Sequence, residues 1–323
     1  MVVRFLRFAL AVALLALAPG GVALAQVCVA TATDINFGTL AVSALTGAKI
    51  TGSVFEGCTG GWQTQGNLAT CNSIGAGSNS ASAAARTMKL GTNSISYQLY
   101  SDAAYSVPYA FPGADKFNIP YTTAAGGHVT TTTYAQILSS SAGLPAGTYT
   151  DTYSTATQAI ADFNTFNTPN PPITCGTNPF YTTVTMAFSV KVTIAPSCSI
   201  STGNLNFGNA GVLSANIDNT ATVNVLCTAS TGYNIGLSAG NATGATTSSR
   251  KMTGTVGAVA YALYQDPGRS ANWGNNTSST GNDTIGGTGT GATQPLTVYG
   301  RVPPQTTPKQ GGYNDTVVVT VYY

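Results

Sequence analysis

Val184-Thr-Met-Ala-Phe-Ser-Val-Lys-Val-Thr-Ile194 is the stretch that decides how this chain folds. Apolar residues alternate with small or polar ones along its whole length, the period-2 pattern of a strand with one buried face. Pro196 and Cys198 follow at once, and at Cys198 a second copy of the chain's basic unit opens. The strand therefore closes the first half and leads into the second. No comparable strand follows the second half before Tyr323, so the two halves are unequal.

The duplication is read from anchors in fixed order. Cys28 to Asn36-Phe37-Gly38 recurs as Cys198 to Asn206-Phe207-Gly208, a shift of 170, and Cys58 answers Cys227. Arg86-Thr-Met88 answers Arg250-Lys-Met252, and Tyr97-Gln-Leu99-Tyr100-Ser-Asp102 answers Tyr261-Ala-Leu263-Tyr264-Gln-Asp266, both at 164. Tyr149, Asp151 and Thr152 answer Tyr313, Asp315 and Thr316 at the same shift. Each unit reads as short strands broken by Gly, Asn, Ser and Pro turns. In the second unit the strands are expected over Ala221–Cys227, Tyr233–Leu237, Val259–Tyr264 and Thr316–Tyr323. No stretch after the leader has convincing helical periodicity. The fold class is all-β: two tandem immunoglobulin-like β-sandwiches, residues 26–195 and 196–323.

Charged residues are only 7% of the chain and hydrophobic ones 43%, which argues against disorder and favours β structure. Net charge is +2, and Arg4 and Arg7 belong to the leader, so the mature chain is near neutral. It has no basic patch for nucleic acid and no polybasic membrane signal. Residues 1–25 form a secretory signal: Arg4 and Arg7, a short apolar run from Phe8 to Ala18, and Ala23-Leu-Ala25 as cleavage pattern. Export makes disulfides the reading of Cys28, Cys58, Cys71, Cys175, Cys198 and Cys227. With no C-x-x-C and a single histidine, His128, zinc is disfavoured. The repeat pairs Cys28 with Cys58 and Cys198 with Cys227. Cys71 and Cys175 have no counterpart and pair with each other, tying an insertion, Tyr153 to Tyr181, back onto the first domain. Spacing alone leaves other connectivities open.

These anchors resemble the spore coat U domain family, which includes pilins of the archaic, Csu-type chaperone–usher pathway. The resemblance rests on Cys198…Asn206-Phe207-Gly208, Cys227-Thr228, Arg250-Lys-Met252 and Leu263-Tyr264-Gln-Asp266-Pro-Gly-Arg269. It rests also on Val298-Tyr299-Gly300-Arg301-Val302-Pro303 and the terminal run from Gly312-Tyr313 through Asp315 to Tyr323. It implies an incomplete immunoglobulin-like fold, the second domain lacking its last strand, whose groove is filled by a strand from another chain. Backbone hydrogen bonds join such a donor to an open sheet edge, and its alternate apolar side chains fill pockets. The implied partners are a periplasmic chaperone, an outer-membrane usher and the next pilin subunit. Val317, Val319, Val321 and Tyr323 are the expected strand-exchange face. Only Gln26 and Val27 would precede Cys28 after cleavage, too little to lend onward, so the implied place is a pilus tip at the cell surface. The strand 184–194 is expected to complete the first domain from within.

A two-domain tip subunit places its contact residues in the outer domain, and loops on a rigid β scaffold are their usual position. Three stretches carry aromatics there: Gly60-Gly-Trp62-Gln63, Tyr105-Ser-Val-Pro-Tyr109-Ala-Phe111-Pro112, and Ile160 to Ile173 with Phe163 and Phe166. Trp62, Tyr105, Tyr109, Phe111, Phe163 and Phe166 are the expected contacts to a surface or host receptor; the competing expectation is that each covers the end of its own sandwich. No catalytic, cofactor-binding or metal-binding residues are expected. His128 follows two glycines and has no nucleophile to serve. Asp102, Asp266, Asp151 and Asp315 recur with Arg86 and Arg250, which points to shared turn hydrogen bonds or a structural ion pair, not to a glycosidase pair. Gly286 to Gly291 lacks the ending and the helix of a phosphate loop. The expected role is a non-enzymatic tip adhesin; the alternative is a coat or matrix protein assembling by the same strand exchange.

Overall fold

The computed structural model describes residues 26–60, 65–113, 115–122, 125–140, 143–166, 175, 181–278 and 281–323. The predicted leader, residues 1–25, lies outside the described residues. The first domain contains β1 (Val27–Ala32), β2 (Ile35–Leu40), β3 (Lys49–Thr59), β4 (Gln65–Ile74), β5 (Arg86–Leu90) and β6 (Asn93–Tyr100). It continues with β7 (Asp115–Thr122), β8 (Gly127–Ser140), β9 (Gly147–Tyr153), β10 (Ala159–Phe166), β11 (Thr182–Thr185) and β12 (Phe188–Ile194). The second domain contains β13 (Cys198–Thr202), β14 (Ile217–Cys227), β15 (Gly232–Leu237), β16 (Arg250–Thr253), β17 (Ala258–Tyr264), β18 (Ile285–Thr288), β19 (Thr293–Val302) and β20 (Val319–Tyr322). Among the described residues the helical content is one 3-10 turn, Val42–Ala44. The molecule is all-β, as the alternating sequence patterns require.

In the first domain one sheet runs β1-β3-β8-β6-β5-β9-β12-β2 and the facing sheet β11-β10-β4-β7. One core lies between them, joining Val190, Val192, Tyr97 and Tyr149 of the first sheet to Leu68, Ala161 and Phe163 of the second. The second domain repeats the plan with β13-β14-β19-β17-β16 and β18-β15-β20. Its core centres on Val225, Ile235, Leu237 and Trp273. The predicted strands of the second unit are all present, except that the last is shorter, Val319–Tyr322, and leaves Thr316–Val318 and Tyr323 outside it.

The three disulfides are Cys28–Cys58, Cys71–Cys175 and Cys198–Cys227. The first and third join directly opposed residues of equivalent strand pairs, β1 with β3 and β13 with β14. Cys71 and Cys175 are buried together with Ala69, and Tyr181 packs beside them, outside the main core. This second small cluster explains why β10 is buried over its first five residues instead of alternating. A strand covered on both faces loses its period-2 signature.

The stretch 184–194 is not one strand. Val184 lies in β11, which pairs with β10 in the smaller sheet. Phe188–Ile194 lies in β12, which pairs antiparallel with β9 and parallel with β2 in the larger sheet. The chain changes sheets at Met186-Ala187, yet Met186, Phe188, Val190, Val192 and Ile194 are all buried. Both sheets face one core, so in–out alternation passes unbroken through the crossing.

Two of the three stretches expected to be contact loops have counterparts in the second domain. Ala159–Phe166 is a core strand with a counterpart: β10 pairs with β4 through Ala159 and Ile74, as β20 pairs with β15 through Val319 and Leu237. The Tyr105–Pro112 loop has a counterpart too. Tyr105 and Arg269, 164 apart, both have positive φ, 59° and 57°. In each turn an aspartate, Asp102 or Asp266, accepts from the backbone N–H groups four and five residues on and from a serine hydroxyl. Tyr109 and Trp273 plug the two cores at matching places.

Candidate strand-accepting groove and outer surface

The repeat lets each position in the second domain be compared with the same position in the first. In the first domain β12 separates β9 from β2, and β11 covers the outer edge of β10. Among the described residues the second domain has no counterpart of either strand. Leu205 to Gly208, which answers Ile35 to Gly38, keeps the local turn: Gly208 N–H donates to Asn206 Oδ1 as Gly38 N–H donates to Asn36 Oδ1. It forms no strand, because the neighbour that β2 pairs with is absent there. Ile35, Phe37, Tyr149 and Tyr153 are buried in the first domain. Leu205, Phe207, Tyr313 and Val317, at the same places, are only half-buried. Val319 and Val321 join that half-buried row against the core, whereas Tyr323 is 63% exposed. Of the four residues expected at the exchange face, Val317, Val319 and Val321 lie against the core and Tyr323 lies beyond them.

Beneath the groove sits a buried arginine in each domain. Arg86 donates to the carbonyls of Ile74, Gly75, Ala83 and Tyr109, to Tyr153 Oη, and closely to Gln98 Oε1. Arg250 donates to the carbonyls of Leu237, Ser238, Thr247 and Trp273. The guanidinium fork spans the two sheets and the loop that plugs the core. The carboxylates stand beside it and are held by hydroxyls and backbone. Asp151 accepts from Tyr97 Oη, Ser80 Oγ and Asn79 N–H, and Asp315 from Tyr261 Oη and Asn241 N–H. Hydrogen bonding, not an Arg–Asp ion pair, accounts for the recurrence. Burial, reinforced by the neighbouring tyrosine and aspartate, pushes the Tyr97 hydroxyl well above its usual range. Burial and the Asp315 hydrogen bond raise Tyr261. Gly77 and Gly240 admit these carboxylates: a Cβ on either would fall within 2.3 Å of an Asp151 or Asp315 oxygen.

The predicted contact residues separate into different places. Tyr109 and Phe163 are buried in the first core and are not available at the surface. Tyr105 packs edge-on to Tyr100 and Tyr134 with Lys49 Nζ over its ring at 3.9 Å. Phe111 is 36% exposed on the same loop. Trp62 and the side chain of Phe166 lie outside the described residues. The backbone of Phe166 pairs with Asn67, at the end of the domain where Cys58 pairs with Gly127. The Tyr105 loop lies elsewhere, since Ala110 accepts from Ile74 N–H at the other end of β4. One contact tip built from all six is therefore not what the fold provides.

Sequence reasoning missed a surface at that Cys58–Gly127 end. Val27, Val29, Phe55 and His128 surround a shallow cleft of about 140 Å³, floored by Gly57 and Gly127. Phe55 and His128 stack with centroids 6.0 Å apart. Val27, Val29 and Phe55 are exposed. The equivalent positions in the second domain are Ser197, Ser199, Asn224 and Thr293, and Leu226 stands where Gly57 leaves the cleft open. The fold does without these apolar groups in its second copy. Aligning the two halves at Cys28 and Cys198 exposes the contrast in the sequence itself. Among the described residues no group of three or more His, Cys, Asp or Glu is placed to hold a metal ion.

Comparison with known proteins agrees with the architecture. A crystal structure of the CsuC–CsuE chaperone–tip adhesion subunit pre-assembly complex from archaic chaperone-usher Csu pili of Acinetobacter baumannii contains a similar chain. The match covers 92% of this chain and 100% of that one, with a TM-score of 0.52 and 14% identity, a likeness of fold alone. The CupB6 tip adhesin from Pseudomonas aeruginosa is matched over 92% of this chain and 93% of its own, at a TM-score of 0.41 and 13% identity, too distant to argue from. Protein U of Myxococcus xanthus is 30% identical over 157 residues, 44% of this chain and 86% of that protein. The Spore Coat Protein U domain model matches residues 12–156 and 184–320, one copy in each half. The chain belongs to the Spore Coat Protein U domain family.

Proposed function

We propose that the protein is a non-catalytic, two-domain tip subunit of a chaperone–usher pilus. The observation that carries this reading is the contrast between the halves. Residues 182–194 fill the first domain from within, while in the second domain the residues lining the equivalent place are half-buried and, among the described residues, no strand pairs there. One closed and one open domain suit the end of a fibre: the open domain accepts a strand, and the closed one faces outward. The second domain would take its strand first from a periplasmic chaperone and then, at the usher, from the next subunit. An unfilled groove of this kind exposes apolar surface and free backbone groups, so the subunit needs that cover during export. The outward domain would attach to a surface or receptor through its Val27–Phe55–His128 end.

The second reading, a coat or matrix protein built by the same exchange, draws on the likeness to Protein U, which covers most of that protein's length. Gold labelling of an epitope in the first domain separates the two by electron microscopy. Label confined to fibre ends supports the tip subunit; label along fibres or over a sheet supports the coat.

A further inference from the structure

We propose that the strand accepted by the second domain carries a tyrosine opposite Val317. This rests on the strand-accepting reading above and specifies its partner. In the first domain the occupant of the equivalent place is known, because it is the chain's own Phe188. Phe188 pairs directly with Tyr153 in the β12–β9 register. The rings stack with centroids 4.4 Å apart and planes within 4°. The Tyr153 hydroxyl, behind the stack, accepts from Arg86 Nε at 3.2 Å and bonds Tyr97 Oη at 2.8 Å. The host thus supplies one ring with its oxygen, and the incoming strand supplies the other ring.

At the matching place the second domain has Val317 instead of Tyr153. The rest of the cluster is retained: Arg250 for Arg86, Tyr261 for Tyr97, Asp315 for Asp151. Arg250 is fully buried but has lost two acceptors, the Tyr153 hydroxyl and the Gln98 amide oxygen, the latter replaced by Ala262. The Trp273 side chain does not compensate, because its indole N–H is a donor, here to the Ile235 carbonyl, and cannot accept from Arg250. Val317 itself is only half-buried, so the space the tyrosine ring takes in the first domain opens onto the groove. An aromatic ring from the guest strand fits that space, and a phenolic hydroxyl at its far end replaces both functions of the Tyr153 hydroxyl: it accepts from Arg250 and donates to Tyr261 Oη, whose own proton is committed to Asp315. A buried charged donor left short of acceptors favours the guest that brings one.

The test uses the full chain and synthetic peptides of the sequence Thr182–Ala195, with the residue at position 188 as Tyr, Phe, Leu or Ala. Binding is read by fluorescence titration and by the shift of the second domain's unfolding transition. The Tyr peptide is expected to bind about tenfold more tightly than the Phe peptide, with Leu and Ala weaker still. In a Val317→Tyr chain the host regains its own hydroxyl, and the Tyr and Phe peptides should bind alike. Equal binding of all four peptides to the unaltered chain overturns the tyrosine assignment but leaves the groove standing. Failure of every peptide to bind or to shift the second transition overturns the strand-accepting reading itself.

Discussion

Arg86 and Arg250 show what single residues contribute to this fold. Each ties two sheets and a loop by donating to carbonyls that would otherwise be buried without partners. Replacing either by methionine removes the donors and keeps the volume. Arg86→Met should cost the first domain, and Arg250→Met the second, about 3–5 kcal/mol in denaturant unfolding. Lysine should rescue little, since its donors radiate from one point instead of a planar fork. The arginines were legible as a repeated pair, but their partners were not, because backbone carbonyls leave no mark in sequence. The turn aspartates give a pH signature. The Val107 N–H holds the Asp102 carboxyl below its usual 3.8, and the Ala271 N–H does the same for Asp266. A carboxyl depressed in the folded state stabilises above its unfolded pKa and loses that contribution as pH falls through the folded value. Stability should therefore decline with acidification below about pH 4. Melting temperatures across that range should fall less steeply for an Asp102→Asn, Asp266→Asn double variant.

At the scale of the element, the segment Thr182–Ile194 shows both the reach and the limit of periodicity. Alternation correctly marks which side chains face inward, from Val184 to Ile194. It cannot tell which backbone lies alongside, and here the partner changes from β10 to β9 and β2 within a few residues. The opposite failure occurs in Ala159–Phe166. There Asp162 is buried and accepts from Thr183 Oγ1, and the neighbours on both sides are covered, so the strand has neither alternation nor apolar purity. Its counterpart Val319–Tyr322, rich in valine and open on one edge, was readable as a strand. The dependence of β2 on β12 follows from the same pairing. Phe188→Ala should destabilise the first domain by about 3–5 kcal/mol through the lost stack and cavity. Hydrogen exchange should then show Ile35–Leu40 opening with it, while the second domain's transition stays where it was. Protection of Ile35–Leu40 unchanged in that variant would mean that β2 is held by something other than the inserted strand.

For the whole molecule, duplication supplies a comparison that neither half offers alone. Features shared by both copies, such as the opposed disulfides, the aspartate turns and the buried arginines, are what the sandwich requires. Features present in one copy only are free to serve function. The six aromatics expected at the contact surface failed this test in part: Tyr109 has its counterpart in Trp273 and belongs to the shared scaffold. Val27, Val29, Phe55 and His128 pass it, since the second copy replaces them with Ser197, Ser199, Asn224 and Thr293. That substitution set is itself the experiment. Val27→Ser, Val29→Ser, Phe55→Asn and His128→Thr together convert this end of the first domain to residues the same fold already accepts. Because three of the four side chains replaced are apolar and exposed, the unfolding midpoint should move little, each exposed site contributing within about 0.5 kcal/mol. On the proposed tip-subunit reading, attachment of piliated cells to an apolar surface should drop several-fold, with fibre number unchanged, because loss of an exposed apolar patch removes contact area without touching the groove. Attachment at the original level, with the variant folded and assembled, would leave the patch without a role in adhesion and move the contact to the Tyr105–Phe111 loop.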